Sequence, residues 1–374
     1  MKKVLQIGGG ILIKRGVEKY IENINTQINH KKIQIDVLTP FYCLNDELRE
    51  NIENNGGKVI ELKCASNSKL GFYISFLFRL NRILESEQYD VIEAQTGAIP
   101  IMALSTIAGY RSHINKIIVH THNTHVKNQK YWIQTRLFWP LIKKADYYYA
   151  CSMKAGRDSF PKSVHSKIQV IPNAINVQDY KFDSETRRQM REKLNVESQF
   201  VVGHIGAFTT QKNHNFLVDI FESIQKQKKD SVLLLIGEGE LEEEIRKKVK
   251  QHGLENQVIF YGATNNICDL LCCMDVFVFP SIWEGLGIAV VEAQASGLPC
   301  FYSEDLPQEV QINSNCFPIS IECTSDEWAT RILSFHETET RELYNKNLEE
   351  SDFSLYKVTS DLEKMYLSEG ENYG

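Results

Sequence analysis

The sequence lacks any long apolar run: none of its 374 residues lies in an uncharged apolar stretch long enough to cross a bilayer. A membrane-spanning helix needs about 20 such residues. The opening, MKKVLQIGGG, also lacks the extended apolar run and small-residue cleavage site of a secretory signal peptide. We therefore expect a cytoplasmic protein without a membrane-spanning helix.

Cysteine patterns typical of a metal site are missing as well. The chain has nine cysteines, and only Cys268, Cys272 and Cys273 cluster. A structural zinc site needs a second pair of ligands, which this cluster does not have. We expect these cysteines to be reduced and to pack within a helix.

The first half of the chain is poor in acidic residues. Residues 1–180 contain 24 Lys+Arg against 15 Asp+Glu, whereas residues 181–374 contain 18 against 33. A basic half can attract anions such as phospholipid headgroups. Unevenly distributed surface charge explains the same counts, and the two interpretations remain open.

Short apolar runs alternate with helical patterns along the whole chain. The strands expected in the first part are Val4–Ile7, Ile33–Leu38, Lys58–Leu62, Val91–Ala94 and Ile117–Thr121. Helical patterns near 15–29, 70–86, 98–109 and 130–143 separate or follow them. Such alternation predicts a parallel sheet with helices on both faces.

The pattern then restarts after Ile171-Pro172-Asn173-Ala174, where Pro and Asn interrupt it. The second set of expected strands is Phe200–Ile205, Val232–Ile236, Val258–Tyr261 and Val276–Phe279, with helices near 212–227 and 240–252. We predict an α/β protein of two doubly wound Rossmann-like domains, 1–174 and 175–353, facing each other across a cleft. Residues 354–374 are expected to form a last amphipathic helix and tail that cross back to the N-terminal domain.

The strongest motif is PSIWEGLGIAVVEA, residues 280–293, directly after an expected strand. Gly285 and Gly287 permit close approach of a ligand to the backbone, and a helix starting near Gly287 directs N–H groups and a positive dipole end at it. This arrangement suits a diphosphate. Glu292 could accept hydrogen bonds from a ribose diol, and Glu284 could contact a sugar.

Two acids in one motif also suggest a glycosidase pair. Eight residues of helix rise about 12 Å, whereas the carboxylates of glycosidases lie about 5–10 Å apart. The glycosidase interpretation is therefore the weaker one, and incidental acids at a helix start remain a further alternative.

The motif resembles the signature of family 4 retaining glycosyltransferases, also called glycosyl transferases group 1, in which seven residues separate the two glutamates. Other segments resemble the same family in order and spacing: Val170–Ile175, Gly203–Phe208, Gln211–His214, Gly237–Gly239 and Val258–Gly262. The resemblance implies the GT-B fold and is strongest over residues 168–302. Its style is that of members that build capsular and other surface polysaccharides.

The resemblance assigns roles to individual residues. Lys212 would contact the donor diphosphate, Glu284 the transferred sugar and Glu292 the ribose. The residues that would lie against the donor through their backbone are Gly206, Gly285, Leu286 and Gly287. A surface lysine at a helix start is the alternative for Lys212.

The chain departs from the family at Ala207, where the family usually has an arginine that completes a phosphate clamp with the lysine. A lost charged hydrogen bond costs about 1.5–3 kcal/mol. Either Lys212 and the helix suffice, another cation substitutes, or the chain is weakly active or inactive.

The turn Gly8-Gly9-Gly10, with Arg15-Gly16 after it, resembles the family's flexible glycine loop, which lies against donor phosphate and acceptor. The resemblance thus places Gly10 and Gly16 in the substrate site. A dinucleotide fingerprint would need glycine at position 13, which is Ile13 here, and an acid at the end of the second strand, whereas Asp36 lies within it.

Three histidines, His120, His122 and His125, lie within six residues at the end of an expected strand. Alternation puts His120 and His122 on one face, which a metal could use, although the sequence places no carboxylate or cysteine beside them. By resemblance His122 touches the transferred sugar, with His120 second. A buried structural role for both is the remaining alternative.

Two segments mix aromatic and basic residues: Phe72–Phe78 with Arg79 and Arg82, and Lys127–Lys144. They could lie in a membrane interface or be core helices with basic outer faces, and both interpretations stay open.

The resemblance implies a retaining, metal-independent transferase that moves a sugar from a nucleoside diphosphate, UDP favoured, to a hydroxyl of a growing lipid-linked oligosaccharide. No separate cofactor and no nucleic acid is expected. Peripheral contact with the inner face of an anionic cell membrane is expected. A GT-B sugar-nucleotide epimerase and an inactive nucleotide-sugar-binding subunit are the alternatives.

Overall fold

The computed structural model describes residues 1–13, 16–64, 68–122, 129–336 and 340–368. The chain forms two compact units: unit 1 comprises Met1–Ile175 with Leu355–Gly374, and unit 2 comprises Asn176–Ser354. Each unit is built on one parallel sheet whose strands are connected mainly by helices. The predicted pair of doubly wound α/β folds is confirmed.

Unit 1 contains a seven-stranded sheet in the order β3-β2-β1-β4-β5-β6-β7. Its strands are β1 (Lys2–Gly8), β2 (Ile33–Thr39), β3 (Val59–Glu61), β4 (Val91–Gln95), β5 (Lys116–Thr121), β6 (Tyr147–Ala150) and β7 (Ile168–Val170). Its first helices are α1 (Gly16–Gln27), α2 (Asp46–Asn54), α3 (Lys69–Ser86), α4 (Ile99–Arg111), α5 (Gln129–Ile142) and α6 (Met153–Ser159).

Unit 2 contains a six-stranded sheet in the order β10-β9-β8-β11-β12-β13. Its strands are β8 (Phe200–Ile205), β9 (Ser231–Ile236), β10 (Val258–Gly262), β11 (Val276–Phe279), β12 (Cys300–Ser303) and β13 (Cys316–Ile319). Its helices are α7 (Ser184–Leu194), α8 (His214–Gln227), α9 (Glu242–Gln251), α10 (Ile267–Cys273), α11 (Ile288–Ala295), α12 (Ser325–Ser334) and α13 (Arg341–Glu349).

The central strands read as near-continuous apolar runs because helices cover both faces of a parallel sheet. All residues of β4, β5, β9 and β11 are buried. Helix α11 is likewise apolar nearly all round and buries Ala289, Val290 and Val291. Because these elements are buried, the ends of the strands, where the polar side chains of the predicted site lie, are held in place.

The last helix, α14 (Leu355–Leu367), completes unit 1 rather than unit 2. Its apolar face packs into the core around β1, β2 and α1 through Leu362 and Tyr366. The Tyr366 hydroxyl donates to the buried carboxylate of Glu93. Lys116 donates to the carbonyl of Ser368 at 2.5 Å. Unit 1 therefore depends on two distant stretches of sequence.

The helices of the described ranges include none that is both long and apolar enough to cross a membrane. The nine cysteines are free thiols. Cys272 and Cys273 are buried in α10, which agrees with their predicted packing role. Burial raises the pKa of the Cys273 thiol to about 12.

Candidate functional site

Strand order reverses direction once in each sheet, between β1 and β4 in unit 1 and between β8 and β11 in unit 2. Ligands of doubly wound sheets bind beyond the carboxyl ends of the strands at such a switch point. The segments that leave these ends are Gly8–Gly10 and Thr96 in unit 1, and 206–213 and 280–287 in unit 2. Most of the predicted site residues lie in these segments.

In unit 2, hydrogen bonds hold the two switch-point segments against each other. The Ile282 amide donates to the carbonyl of Gln211 at 2.9 Å. The Asn213 side chain donates to the Pro280 carbonyl at 3.1 Å. The loops after β8 and β11 thus form one polar surface at the carboxyl edge of the sheet.

Lys212 and Glu284 meet on this surface. The Lys212 ammonium lies 2.6 Å from a Glu284 carboxylate oxygen, with side-chain exposures of 19% and 8%. The same ammonium lies 4.6 Å from the centre of the Phe279 ring, a favourable place for a cation. Lys212 ends a short 3-10 turn just before α8, and its side chain is largely enclosed.

The absence of a side chain at Gly206 leaves space for the Lys212 side chain. A Cβ atom at Gly206 would lie 3.1 Å from the Lys212 side chain and 2.9 Å from Nε2 of His204. A Cβ atom at Gly237 would lie only 2.2 Å from the Gly206 carbonyl oxygen. Two glycines are therefore needed for the chain to turn this tightly behind the lysine.

The helix that follows Glu284 begins near Gly287, as predicted: α11 starts at Ile288, and Gly287 is its N-cap. This residue caps α11 with a φ of 91°, a left-handed conformation that glycine adopts without strain. Gly285 and Leu286 precede it, and Leu286 is 4% exposed, so its side chain is buried. The start of α11 offers N–H groups that the helix itself does not use.

Glu292 lies on α11 and has a partner that the sequence did not reveal. The hydroxyl of Tyr180 donates to a Glu292 carboxylate oxygen at 2.9 Å. Burial, and then the charge of Glu292, raise the pKa of Tyr180 well above its usual value. The tyrosine thus stays a neutral donor that orients the carboxylate.

Two buried histidines, His204 and His214, lie behind the lysine and were not predicted as site residues. Their ring centres are 4.7 Å apart, and His204 Nδ1 lies 2.9 Å from the Val278 carbonyl and so carries the proton. Burial and the nearby Lys212 charge lower the pKa of His214 to about 4. Burial and His214 lower the pKa of His204. Both rings are therefore neutral at pH 7, and the local positive charge is that of Lys212.

The glycine turn of unit 1 follows β1 as predicted. A Cβ atom at Gly9 would collide with the Thr96 hydroxyl, 1.8 Å away. The Gly10 carbonyl accepts a hydrogen bond of 2.6 Å from Thr39. Apart from the adjoining residues of the chain and the backbone of the same helix, no atom of the described residues lies within 4 Å of a Cβ position at Gly10 or Gly16, which leaves space beside both. Arg15 lies outside the described residues.

His120 and His122 do share one face, with ring centres 4.1 Å apart. Their Nδ1 atoms pair with Glu93 at 3.0 Å and with Asn173 at 2.7 Å. The expectation that no carboxylate accompanies them is wrong, because β4 brings Glu93 beside β5. Burial, then the charge of His120, lower the pKa of His122. His125 lies outside the described residues.

The Nε2 atoms of His120 and His122 are buried and have no hydrogen-bond partner among the described residues. Within that part of the chain, no three His, Cys, Asp or Glu side chains are grouped to hold a metal ion. His122 is 5% exposed, so both a buried structural role and contact with a sugar remain compatible with its position.

Comparisons with known proteins relate both units to one family. Glycosyltransferase Family 4 matches residues 14–179, and Glycosyl transferases group 1 matches residues 186–350. The Bacillus subtilis protein named glycosyltransferase EpsF is 29% identical over 323 residues, 83% of this chain and 81% of that protein.

A second relative is more distant. The Escherichia coli UDP-Gal:alpha-D-GlcNAc-diphosphoundecaprenol alpha-1,3-galactosyltransferase is 25% identical over 241 residues, 61% of each protein. The match therefore spans less than two thirds of that enzyme.

Among solved structures, Anabaena HepE in complex with UDP and glucose superposes with a TM-score of 0.79 at 18% identity. The superposition covers 98% of this chain and all of that one. This likeness confirms the predicted fold. The chain belongs to the family 4 glycosyltransferases (glycosyl transferases group 1), built on the GT-B fold.

Proposed function

We propose that the chain is a retaining glycosyltransferase that moves a sugar from a nucleoside-diphosphate donor, UDP favoured, to a hydroxyl of a glycan acceptor. The observation that carries this proposal is the ion pair between Lys212 and Glu284, 2.6 Å long, beside the start of α11. A cation, a carboxylate and a helix N-terminus at one strand edge match a phosphate joined to a sugar.

Donor binding exchanges partners in this pair. The diphosphate takes the Lys212 ammonium, and the Glu284 carboxylate turns to the hydroxyls of the transferred sugar. Glu292, oriented by Tyr180, accepts from the ribose. Transfer of negative charge to the departing diphosphate is then stabilised by groups that are already in place.

The proposed route needs no protein base. The acceptor hydroxyl attacks the anomeric carbon from the face that the diphosphate leaves, and the departing phosphate oxygen takes the hydroxyl proton. The C–O bond to phosphate breaks as the new glycosidic bond forms, so configuration is kept. His122 contacts the transferred sugar in this proposal, with His120 second.

We further propose a lipid-linked acceptor, surface or capsular polysaccharide synthesis, and action at the cytoplasmic face of a membrane. The E. coli relative supports this choice, since its name specifies a sugar on diphosphoundecaprenol. The charge of residues 1–180 suits an anionic surface.

A donor panel incubated with a membrane extract tests the function. We expect one nucleotide sugar to lose its sugar to extract lipid and to release nucleoside diphosphate. Formation of a changed nucleotide sugar without acceptor would instead indicate an epimerase. Tight donor binding without turnover would indicate an inactive subunit, the alternative that Ala207 suggests.

Transfer is expected to survive EDTA. Lys212 and the N-terminus of α11 supply the positive charge that a divalent ion supplies in other transferases. The measurement is initial rate with 5 mM EDTA, about a thousandfold above trace metal, against the untreated enzyme. Loss of turnover that Mg²⁺ or Mn²⁺ restores would contradict this prediction and would support a metal site at His120 and His122.

Ala207→Arg is expected to raise donor affinity by up to about tenfold. Ala207 is exposed directly after Gly206, so an arginine side chain has room there, and its guanidinium could bind two phosphate oxygens. The cost of ordering a long side chain offsets part of the gain. Isothermal titration with the donor measures it, with Ala207→Gln as the uncharged control. A folded variant with lower affinity would rule out a clamp at this position.

A further inference from the structure

Helix α3 exposes a row of large apolar side chains. Leu70, Ile74 and Phe78 are 70%, 60% and 62% exposed. Their spacing of four residues places them on one side of the helix. The opposite side is the one that packs on the sheet, and it buries Phe76, Leu80 and Leu84. The exposed row is therefore not part of the face through which α3 packs in the core of unit 1.

Helix α5 carries a second such row. Ile133 and Leu137 are 59% and 66% exposed, again four residues apart. Tyr73 of α3 and Phe138 of α5 contact each other edge to face, with ring centres 6.3 Å apart. Both helices also contact α4. We call the set Leu70, Ile74, Phe78, Ile133 and Leu137 the α3–α5 surface.

Basic residues surround these apolar side chains. Lys69, Arg82 and Arg136 are exposed, and the Arg82 guanidinium lies 5.9 Å from the centre of the Phe78 ring. Lys143 and Lys144 follow α5 directly and are also exposed. The sequence of α5 contains no acidic residue, and that of α3 contains one, Glu85 in its last turn. Apolar side chains among cations are complementary to the interface of an anionic bilayer.

The α3–α5 surface begins at the edge of the sheet that carries the candidate site of unit 1. Helices α3 and α5 follow the parallel strands β3 and β5, so both start at the carboxyl edge. Gly10 and His122 lie at that same edge. The headgroup of a lipid bound at the α3–α5 surface would thus lie near Gly10 and His122.

We propose that the α3–α5 surface inserts into the interface of an anionic membrane and holds unit 1 there. A second copy of this chain suits the surface less well, because two basic faces brought together repel each other. The inference builds on the proposed lipid-linked acceptor, but vesicle binding requires neither donor nor acceptor.

Flotation with phosphatidylcholine vesicles, with and without 30% phosphatidylglycerol (about one anionic lipid in three, enough for a negative surface potential), tests the proposal. The full chain is expected to bind the anionic vesicles and to bind less as salt increases. Ile74→Ser/Leu137→Ser should weaken binding by about tenfold or more, since two large apolar side chains are lost. The matched control is Leu44→Ser/Tyr356→Ser, because Leu44 and Tyr356 are 67% and 75% exposed in unit 1 outside the surface.

Equal loss in both double variants, or no binding of the wild-type chain at low salt, would overturn the proposal. Concentration-dependent dimerisation that only Ile74→Ser/Leu137→Ser abolishes, without vesicle binding, would assign the surface to a second copy instead. Donor affinity is measured on the same samples without vesicles. If the chain binds the donor but not the vesicles, only this inference is contradicted. If the chain binds the vesicles but transfers no sugar, only the proposed function is contradicted.

Discussion

A Lys212→Met variant is expected to lose sugar transfer by about 100- to 1,000-fold in kcat/KM, the range that follows removal of a charge-stabilising donor. The lysine is the cation held at the carboxyl edge beside β8 and β11, and the neighbouring histidines are neutral at pH 7. Its removal also leaves the Glu284 carboxylate, 8% exposed, without its ion-pair partner and repelling the diphosphate. Steady-state kinetics with the best donor of the panel measures the loss.

Lys226→Met is the matched control for this experiment. Lys226 lies on α8 of the same unit, and its side chain is 62% exposed in an ion pair with Glu222, so this variant should keep wild-type kinetics. Adding Glu284→Gln to Lys212→Met removes the unpaired carboxylate and should recover thermal stability but not activity. A Lys212→Met enzyme within about threefold of wild type would remove the lysine from the phosphate site.

Glu292→Ala is expected to weaken donor binding by about 10- to 100-fold, the equivalent of one or two charged hydrogen bonds to the ribose. Titration with the donor and with its nucleoside diphosphate measures this directly. Both ligands should lose affinity alike, because the ribose is common to them. An unchanged dissociation constant would show that Glu292 does not contact the nucleotide.

Tyr180→Phe separates orientation from contact. The change deletes the hydroxyl that donates to Glu292 at 2.9 Å and keeps the carboxylate and the ring. We expect a loss of less than about tenfold in affinity, smaller than for Glu292→Ala, and little further loss when the two changes are combined. Additive losses would mean that Tyr180 acts on the donor independently of Glu292.

Strands buried on both faces could be read from the sequence, because β1, β5, β8 and β9 each contain a short, largely apolar run. The short strands β7 and β13, each at one edge of its sheet, could not. β7 has three residues, and β13 carries Pro318, which an edge strand tolerates but a central strand does not. Nothing in the local pattern distinguishes such strands from loops.

The candidate site likewise contains residues that could be predicted from the sequence and partners that could not. The resemblance assigned roles to Lys212, Glu284 and Glu292, and local geometry then placed them after β8, after β11 and on α11. The hydrogen-bond partners of the site residues are set by tertiary contacts between residues far apart in sequence. Tyr180 lies 112 residues from Glu292, and Glu93 lies 27 residues from His120. No spacing rule reaches that far, so Glu93 and Tyr180 could not be predicted as neighbours.

The return of α14 to unit 1 has a consequence for how the chain matures on the ribosome. All residues of unit 2 emerge before α14 does, so unit 2 can acquire its complete core while unit 1 still lacks the helix that covers Tyr20 and Ile24. Until then the buried carboxylate of Glu93 also lacks the Tyr366 hydroxyl. The second half of this enzyme is thus positioned to mature first, and the nascent first half, with that part of its core uncovered, is where a chaperone would bind.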